Sequence, residues 1–509
     1  MNGAESLVHT LLGCGVDTCF TNPGTSEMHF VAALDRVPGM RCVLGLQENV
    51  VTGAADGYAR MQDRPAATLL HCGPGLANGL ANLHNARRAL SPIVNLVGDQ
   101  ATHHRGYDAP LTADTEGWAR PVSRWTRTAR SAPTVGADAA ACVQAATGGV
   151  ATLILPSDTC WDDGGVVAAP LPAATHADPS PDAVDRAAQI LRAGGSTMLI
   201  LSGTALRADA LALAQGIVEA TGARMLAQTS NARIEHGAGR VAIERVPYPV
   251  DQAIKTLAGV ETVILVGAKE PVGFFAYPGK PGRMCPDGCV VHVLARPEQD
   301  GRAALQRLAA SLGTGPSETV AVRTVAEPAR GAIDPDAFAR SVAALLPENA
   351  IVVDESVTFG RSIYSACGVA AAHDWLQLTG GAIGDGIPLA TGAAIGAPGR
   401  RVVGLQADGS AMYSLQGLWT QARERLDVTT VILSNRSYAI LLGEYRNVGA
   451  NPGRTAMDML DLSNPDLDWV RLAGGMGVEA ARAETMDEFN ALFQQANARP
   501  GPFLIELVI

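Results

Sequence analysis

Two residues 27 positions apart, Asp408 and Asn435, carry the kind of oxygen donors that a magnesium ion bound to phosphate takes. Residues 401–406 form an apolar run that predicts a buried strand, and it breaks at Ala407-Asp408-Gly409-Ser410. Leu415, Leu418, Trp419 and Ala422 then recur at helical spacing. A second apolar run, residues 428–433, stops at Ser434-Asn435-Arg436-Ser437. Strand, helix, strand is a βαβ unit with a right-handed crossover. Asp408 and Asn435 therefore emerge at the carboxyl edge of one sheet, where open α/β sheets bind ligands. Asp408 supplies charge, Asn435 an amide oxygen and Ser437 a backbone carbonyl. The amides of Gly409 and Ser410 start a helix and can face phosphate. Read alone, Asp-Gly-Ser favours Asp408 as a simple helix cap, and the spacing to Asn435 and the strand context are what favour the clamp.

A second constellation lies near the start of the chain. Residues 41–46 read as a strand, followed by Gln47-Glu48-Asn49 and a helical run through Ala54, Ala55, Asp56, Gly57, Tyr58 and Ala59. Glu48 alone reads as a carboxylate stabilised by a helix N-terminus. Asn22-Pro23-Gly24-Thr25 ends another apolar strand, with Pro23 and Gly24 suited to a tight turn. His71 ends a third strand, residues 67–70.

Together these motifs resemble the thiamin-diphosphate (ThDP) enzymes, in particular the benzoylformate decarboxylase and acetolactate synthase large-subunit group. Asp408-Gly409-Ser410 with Asn435 is similar to that family's diphosphate motif, with Ala407 and Ser434 as departures from it. The resemblance implies a Mg²⁺ held by Asp408, Asn435 and Ser437. It makes Glu48 the carboxyl group that faces the aminopyrimidine ring. It makes His71 a proton relay to the reacting carbon and Thr25 a contact to the substrate carboxylate. Asn22, Pro23 and Gly24 would line the cofactor site, and the Gly381 carbonyl would accept from the aminopyrimidine. Ile383 would wedge ThDP into a bent shape, and Thr358 would touch the diphosphate, with Val357 where a second hydroxyl is expected. Gly409, Ser410, Tyr413 and Tyr438 complete the phosphate side, the two tyrosines being equally compatible with core aromatics beside a loop. The second pocket histidine of the benzoylformate group would fall near residues 272–276, where this chain has none. His103 and His104 are candidate substitutes, or solvated loop residues.

The implied activity is that of a ThDP- and Mg²⁺-dependent decarboxylase or carboligase acting on a 2-oxo acid through an enamine. No flavin signature stands out in the middle of the chain. An acyl-CoA lyase or oxalyl-CoA decarboxylase, and a non-catalytic ThDP-binding subunit, are the alternatives. Ile440 and Leu441, just past the clamp, would narrow the pocket for small or flat substrates. The resemblance also implies a homodimer or homotetramer with the active site between subunits.

The elements that must position these residues fit a three-part α/β chain. A length of 509 residues suggests three domains. Pro-rich polar stretches near residues 169–181 and 320–335 divide it into 1–170 (pyrimidine-binding), 182–320 (central) and 335–509 (diphosphate-binding). Each part alternates short apolar runs with helical patterns, which predicts doubly wound domains with mostly parallel sheets. A hydrophobic content of 47% with 17% charged residues suits large cores. A net charge of −11 argues against nucleic acid as a partner, and no run reaches membrane-spanning length. An odd nine cysteines and a start without a basic leader point to reduced thiols in the cytoplasm.

Overall fold

The computed structural model describes residues 1–172, 177–324 and 326–509. Residues 173–176 and 325 belong to the two stretches expected to link domains, and they lie outside the described residues. The chain builds the expected α/β architecture around three sheets. The first is all parallel, in the order Arg41–Leu44, Thr18–Asn22, Ala66–Leu70, Ile93–Asp99, Val150–Pro156, Trp125–Thr128. The second is also parallel, in the order Val290–Ala295, Thr262–Val266, Thr197–Leu201, Arg224–Ala227.

The third sheet has seven strands, with Val402–Ala407 and Val428–Ser434 adjacent and parallel near its middle. Successive residues of its strands enter opposite cores. Ile351 and Val353 pack with one cluster, while Val352 packs with another. A parallel sheet covered on both faces needs this continuous apolar run. One strand was not foreseen as part of this sheet. Ile234–His236 comes from the middle of the chain and pairs antiparallel with His373–Gln377. The middle segment thus closes one edge of the third sheet instead of serving its own sheet alone.

The strand expected over residues 41–46 ends at Leu44. Gln47 terminates it by turning its side chain into a helix cap, Oε1 accepting the amides of Asn49 at 2.5 Å and Val50 at 3.2 Å. Glu48 therefore opens the helix Glu48–Gln62. That helix packs on Gly386–Gly396 through glycines. A Cβ at Gly57 would stand 2.0 Å from the Leu389 carbonyl oxygen, and one at Gly392 1.7 Å from that of Ala54. Within the contact, Arg60 forms a two-pronged bond to Asp56 at 2.8 and 2.5 Å and donates to the Gln377 carbonyl at 2.7 Å. Among the described residues, no helix is long and apolar enough to cross a membrane.

Candidate active site

The site divides into two halves, each at the carboxyl ends of parallel strands, one in the first sheet and one in the third. In the third sheet, Asp408 follows Val402–Ala407 and is 2% exposed. Its Oδ1 accepts the Gly409 amide at 2.8 Å and its Oδ2 the Arg436 amide at 2.6 Å. No ion pair to Asp408 occurs among the described residues. Burial raises its pKa, and the surrounding backbone amides only partly oppose that rise. A buried carboxylate without a counter-charge, in one cleft with the Asn435 amide oxygen, which accepts the Ser437 amide at 2.9 Å, and with the Ser437 carbonyl, is an oxygen set that suits a hard divalent cation. The residues present therefore fit Mg²⁺.

The cleft around Asp408 is lined by Ser356, Thr358, Ile383, Gly409, Ser410, Asn435, Ser437, Tyr438 and Ile440, among others. Most of the diphosphate residues expected from the sequence thus line one cleft. Leu441 is 42% exposed and does not line it, so only Ile440 of the expected pair narrows it. Tyr438 lies where a Cβ at Gly409 would project, 2.6 Å from its ring, which explains the bare glycine. Tyr413 is half-exposed and packs its Cβ against Gly384. Val357 holds a φ of +53°, uncommon for a β-branched residue and a local strain beside the cleft. Gly381 holds φ +80°, and the Phe274 ring lies 2.4 Å from its would-be Cβ. Phe274 falls where the benzoylformate group's second histidine was expected, and it supplies no proton donor.

A further residue organises this half and was missed in the sequence. Glu355 is fully buried, and its two oxygens accept the amides of Gly384 and Gly386, each at 2.7 Å. It clasps the glycine-rich loop that carries Ile383. Burial pushes its pKa up to about 7 despite these bonds.

The other half belongs to the first sheet. Asn22 Nδ2 donates to the Gly45 carbonyl at 2.8 Å, joining the end of one strand to the turn that leads into Glu48. Glu48 is half-buried, and its Oε2 accepts from Asn78 Nδ2 at 3.0 Å. A Cβ at Gly75 would stand 3.3 Å from Glu48 Oε1 and 3.5 Å from the His71 Cβ, so the two residues flank Gly75. His71 Nδ1 lies 2.8 Å from Glu27 Oε2 and 3.1 Å from Ser26 Oγ. The Glu27 hydrogen bond raises the His71 pKa, with Glu48 adding to it against the effect of burial.

The turn 22–27 is not held by backbone angles, as Pro23 and Gly24 suggested. Gly24 has φ −131° and ψ −159°, which any residue adopts. Glycine is required there because a Cβ would fall 2.3 Å from the His71 ring. Thr25 is exposed, and the hydroxyl on His71 is that of Ser26. His103 and His104 are exposed, their rings lying against Trp161 and Tyr107. Glu27 and Ser26 were missed because nothing local marks them. The strand pairing Asn22↔Leu70 is what brings their turn beside His71.

Both ends of the chain match known families. Residues 1–119 match the family model described as the thiamine pyrophosphate enzyme N-terminal TPP binding domain. Residues 362–507 match that of the C-terminal TPP binding domain. A protein of Mycobacterium tuberculosis, provisionally named acetolactate synthase large subunit IlvX, is 53% identical across 100% of this chain and 99% of its own. Benzoylformate decarboxylase of Pseudomonas aeruginosa is 28% identical across 97% of this chain and 96% of its own. Among solved structures, a thiamine diphosphate-dependent 4-hydroxybenzoylformate decarboxylase of Rhodococcus jostii RHA1 superposes with a TM-score of 0.83 at 26% identity. That match covers 99% of this chain and 98% of the other.

Proposed function

The chain belongs to the thiamine pyrophosphate enzymes, and from that premise we propose that it is a Mg²⁺-dependent decarboxylase or carboligase of 2-oxo acids. One observation carries the reading. Glu48 and His71 stand at one sheet's carboxyl edge and the Asp408 cleft at another's, yet none of Glu48, His71, Ser26 or Glu27 lines that cleft. Each half is chemically complete and spatially incomplete. Two copies of the chain, paired so that one copy's Glu48 faces the other's Asp408, would complete two sites. The half-burial of Glu48 within one chain supports this, since a pairing carboxyl group must be open to its ligand. The active form is accordingly a homodimer or homotetramer. Nine free thiols support a cytoplasmic setting.

Bound ThDP supplies a carbon nucleophile for the keto group and a sink for the electron pair released with CO₂. Asp408, Asn435 and the Ser437 carbonyl would hold the Mg²⁺. The Gly409 and Ser410 amides and the Thr358 hydroxyl would face the diphosphate, Ile383 would support the bend, and the Gly381 carbonyl would accept from the aminopyrimidine. Glu48 holds a proton at the pyrimidine ring nitrogen. His71, with Nδ1 engaged by Glu27, keeps Nε2 for moving a proton at the former keto carbon. Thr25 would meet the substrate carboxylate from the turn that carries Ser26. Ile440 favours small or flat substrates.

The test is a panel of 2-oxo acids with and without aldehyde acceptors, read by CO₂ release and C–C bond formation. Glu48→Gln should bind ThDP while its C2 proton exchanges with deuterium far more slowly. Wild-type exchange in that variant would refute the role of Glu48. Bound cofactor with no turnover of any 2-oxo acid would refute the reaction.

A further inference from the structure

Beside the proposed proton relay, three unlike donors converge. Ligand atoms of Glu27, His71 and Cys72 all lie within 4.8 Å of one another. Glu27 and Cys72 are buried, while the His71 side chain keeps 24% exposure, so one side of the cluster is open. Ser26 Oγ stands among them, 3.1 Å from Cys72 Sγ, 3.1 Å from His71 Nδ1 and 2.6 Å from Glu27 Oε1. Cys72 adopts φ +53°, a left-handed conformation uncommon for a non-glycine residue.

We propose that Glu27, His71 and Cys72 form a second metal site, for a borderline-soft divalent cation such as Zn²⁺. A sulfur, an imidazole nitrogen and a carboxylate oxygen make a donor set that favours Zn²⁺ or Co²⁺ and disfavours Mg²⁺. Three protein ligands with an open side leave a fourth position for water. Binding replaces two protons by the metal: Cys72 loses its thiol H⁺ to solvent, the proton on His71 Nδ1 is released while solvent protonates Nε2, and Glu27 and Nδ1 of the neutral imidazole each give a lone pair, with no change of oxidation state. The metal takes His71 Nδ1 away from Glu27 and fixes the ring. On the function proposed above, occupancy therefore inhibits, and the site couples the reaction to the local level of such cations.

The binding test needs neither ThDP nor substrate, so its failure is separate from failure of the functional reading. Purified full-length protein, with Mg²⁺ in excess to fill the Asp408 clamp, is titrated with Co²⁺. One equivalent should produce a thiolate-to-cobalt absorption band that Zn²⁺ abolishes. The band should vanish in Cys72→Ser and persist in Cys285→Ser, which removes a thiol elsewhere. X-ray absorption on the Zn²⁺-loaded wild type, independent of any variant's folding, should find one sulfur among nitrogen and oxygen ligands. No band in the wild type, a band that survives in Cys72→Ser, or a zinc shell without sulfur would overturn the proposal.

Discussion

The Nδ1 nitrogen of His71 lies 2.8 Å from Glu27 Oε2, and the same oxygen accepts the Gly24 amide at 2.7 Å. Glu27 thus fixes the ring and the turn beneath it in one contact. The carboxylate selects the tautomer with its proton on Nδ1 and leaves Nε2 as the reactive nitrogen. Glu27→Gln preserves shape and removes this bias. We expect turnover to fall within the roughly 10²- to 10⁴-fold range that a positioned acid–base group contributes. ThDP affinity should be unchanged, because Glu27 does not line the diphosphate cleft. A parallel loss of ThDP affinity, measured by calorimetry, would show that Glu27 holds the fold of the site instead.

Asp408 is buried, and among the described residues its hydrogen-bond partners are backbone amides. Asp408→Ala removes the one carboxylate of the clamp. Charged hydrogen-bonding partners contribute about 1.5–3 kcal/mol, so ThDP affinity should drop by roughly 10- to 100-fold. The loss should be largest at limiting Mg²⁺ and should shrink as Mg²⁺ is raised. Affinity that is insensitive to both the substitution and the metal would remove Asp408 from the clamp.

Arg60 is buried against Asp56, with Asp385 3.9 Å away, and it ties the Glu48 helix to the third sheet through the Gln377 carbonyl. Arg60→Leu leaves the buried Asp56 carboxylate without its cation. Breaking one partner of such a pair costs about 3–5 kcal/mol. The substitution should lower the unfolding free energy by that much in urea titrations. It should also weaken catalysis, because it loosens the helix that presents Glu48.

What was legible in the sequence was local, and what was hidden was long-range. Asp408 and Asn435 could be placed because each ends an apolar strand run at a polar turn, a pattern carried by neighbours in the chain. Glu48 could be placed for the same reason, since its helix begins at a visible break. Glu27 carried no local signal, and only the parallel pairing of Thr18–Asn22 with Ala66–Leu70 brings it to His71. The strand Ile234–His236 was assigned to no sheet, because it is three residues long and its partner lies over a hundred positions away. Gly24 was recognised as necessary, but for its backbone; the space taken by the His71 ring is a property of the folded chain.

Glu355 shows how a residue invisible in the sequence leaves a measurable trace. Its ordinary pKa of 4.5 is raised to about 7 by burial, so the folded chain holds this proton where the unfolded chain has lost it. Below pH 4.5 both states are protonated and the full contribution to stability is present. As pH rises from 4.5 towards 7, the unfolded state alone deprotonates, and stability falls with a slope of up to about 1.4 kcal/mol per pH unit. Above 7 both states are charged and this slope ends. Glu355→Gln cannot ionise. It loses an acceptor for either the Gly384 or the Gly386 amide, which costs roughly 1–3 kcal/mol. The variant should therefore be less stable than wild type at pH 4.5, and the gap should narrow as pH rises to 7. Denaturant unfolding of both proteins across that window measures the difference directly. A gap that stays constant with pH would mean that Glu355 is already charged throughout, its two backbone donors outweighing the cost of its burial.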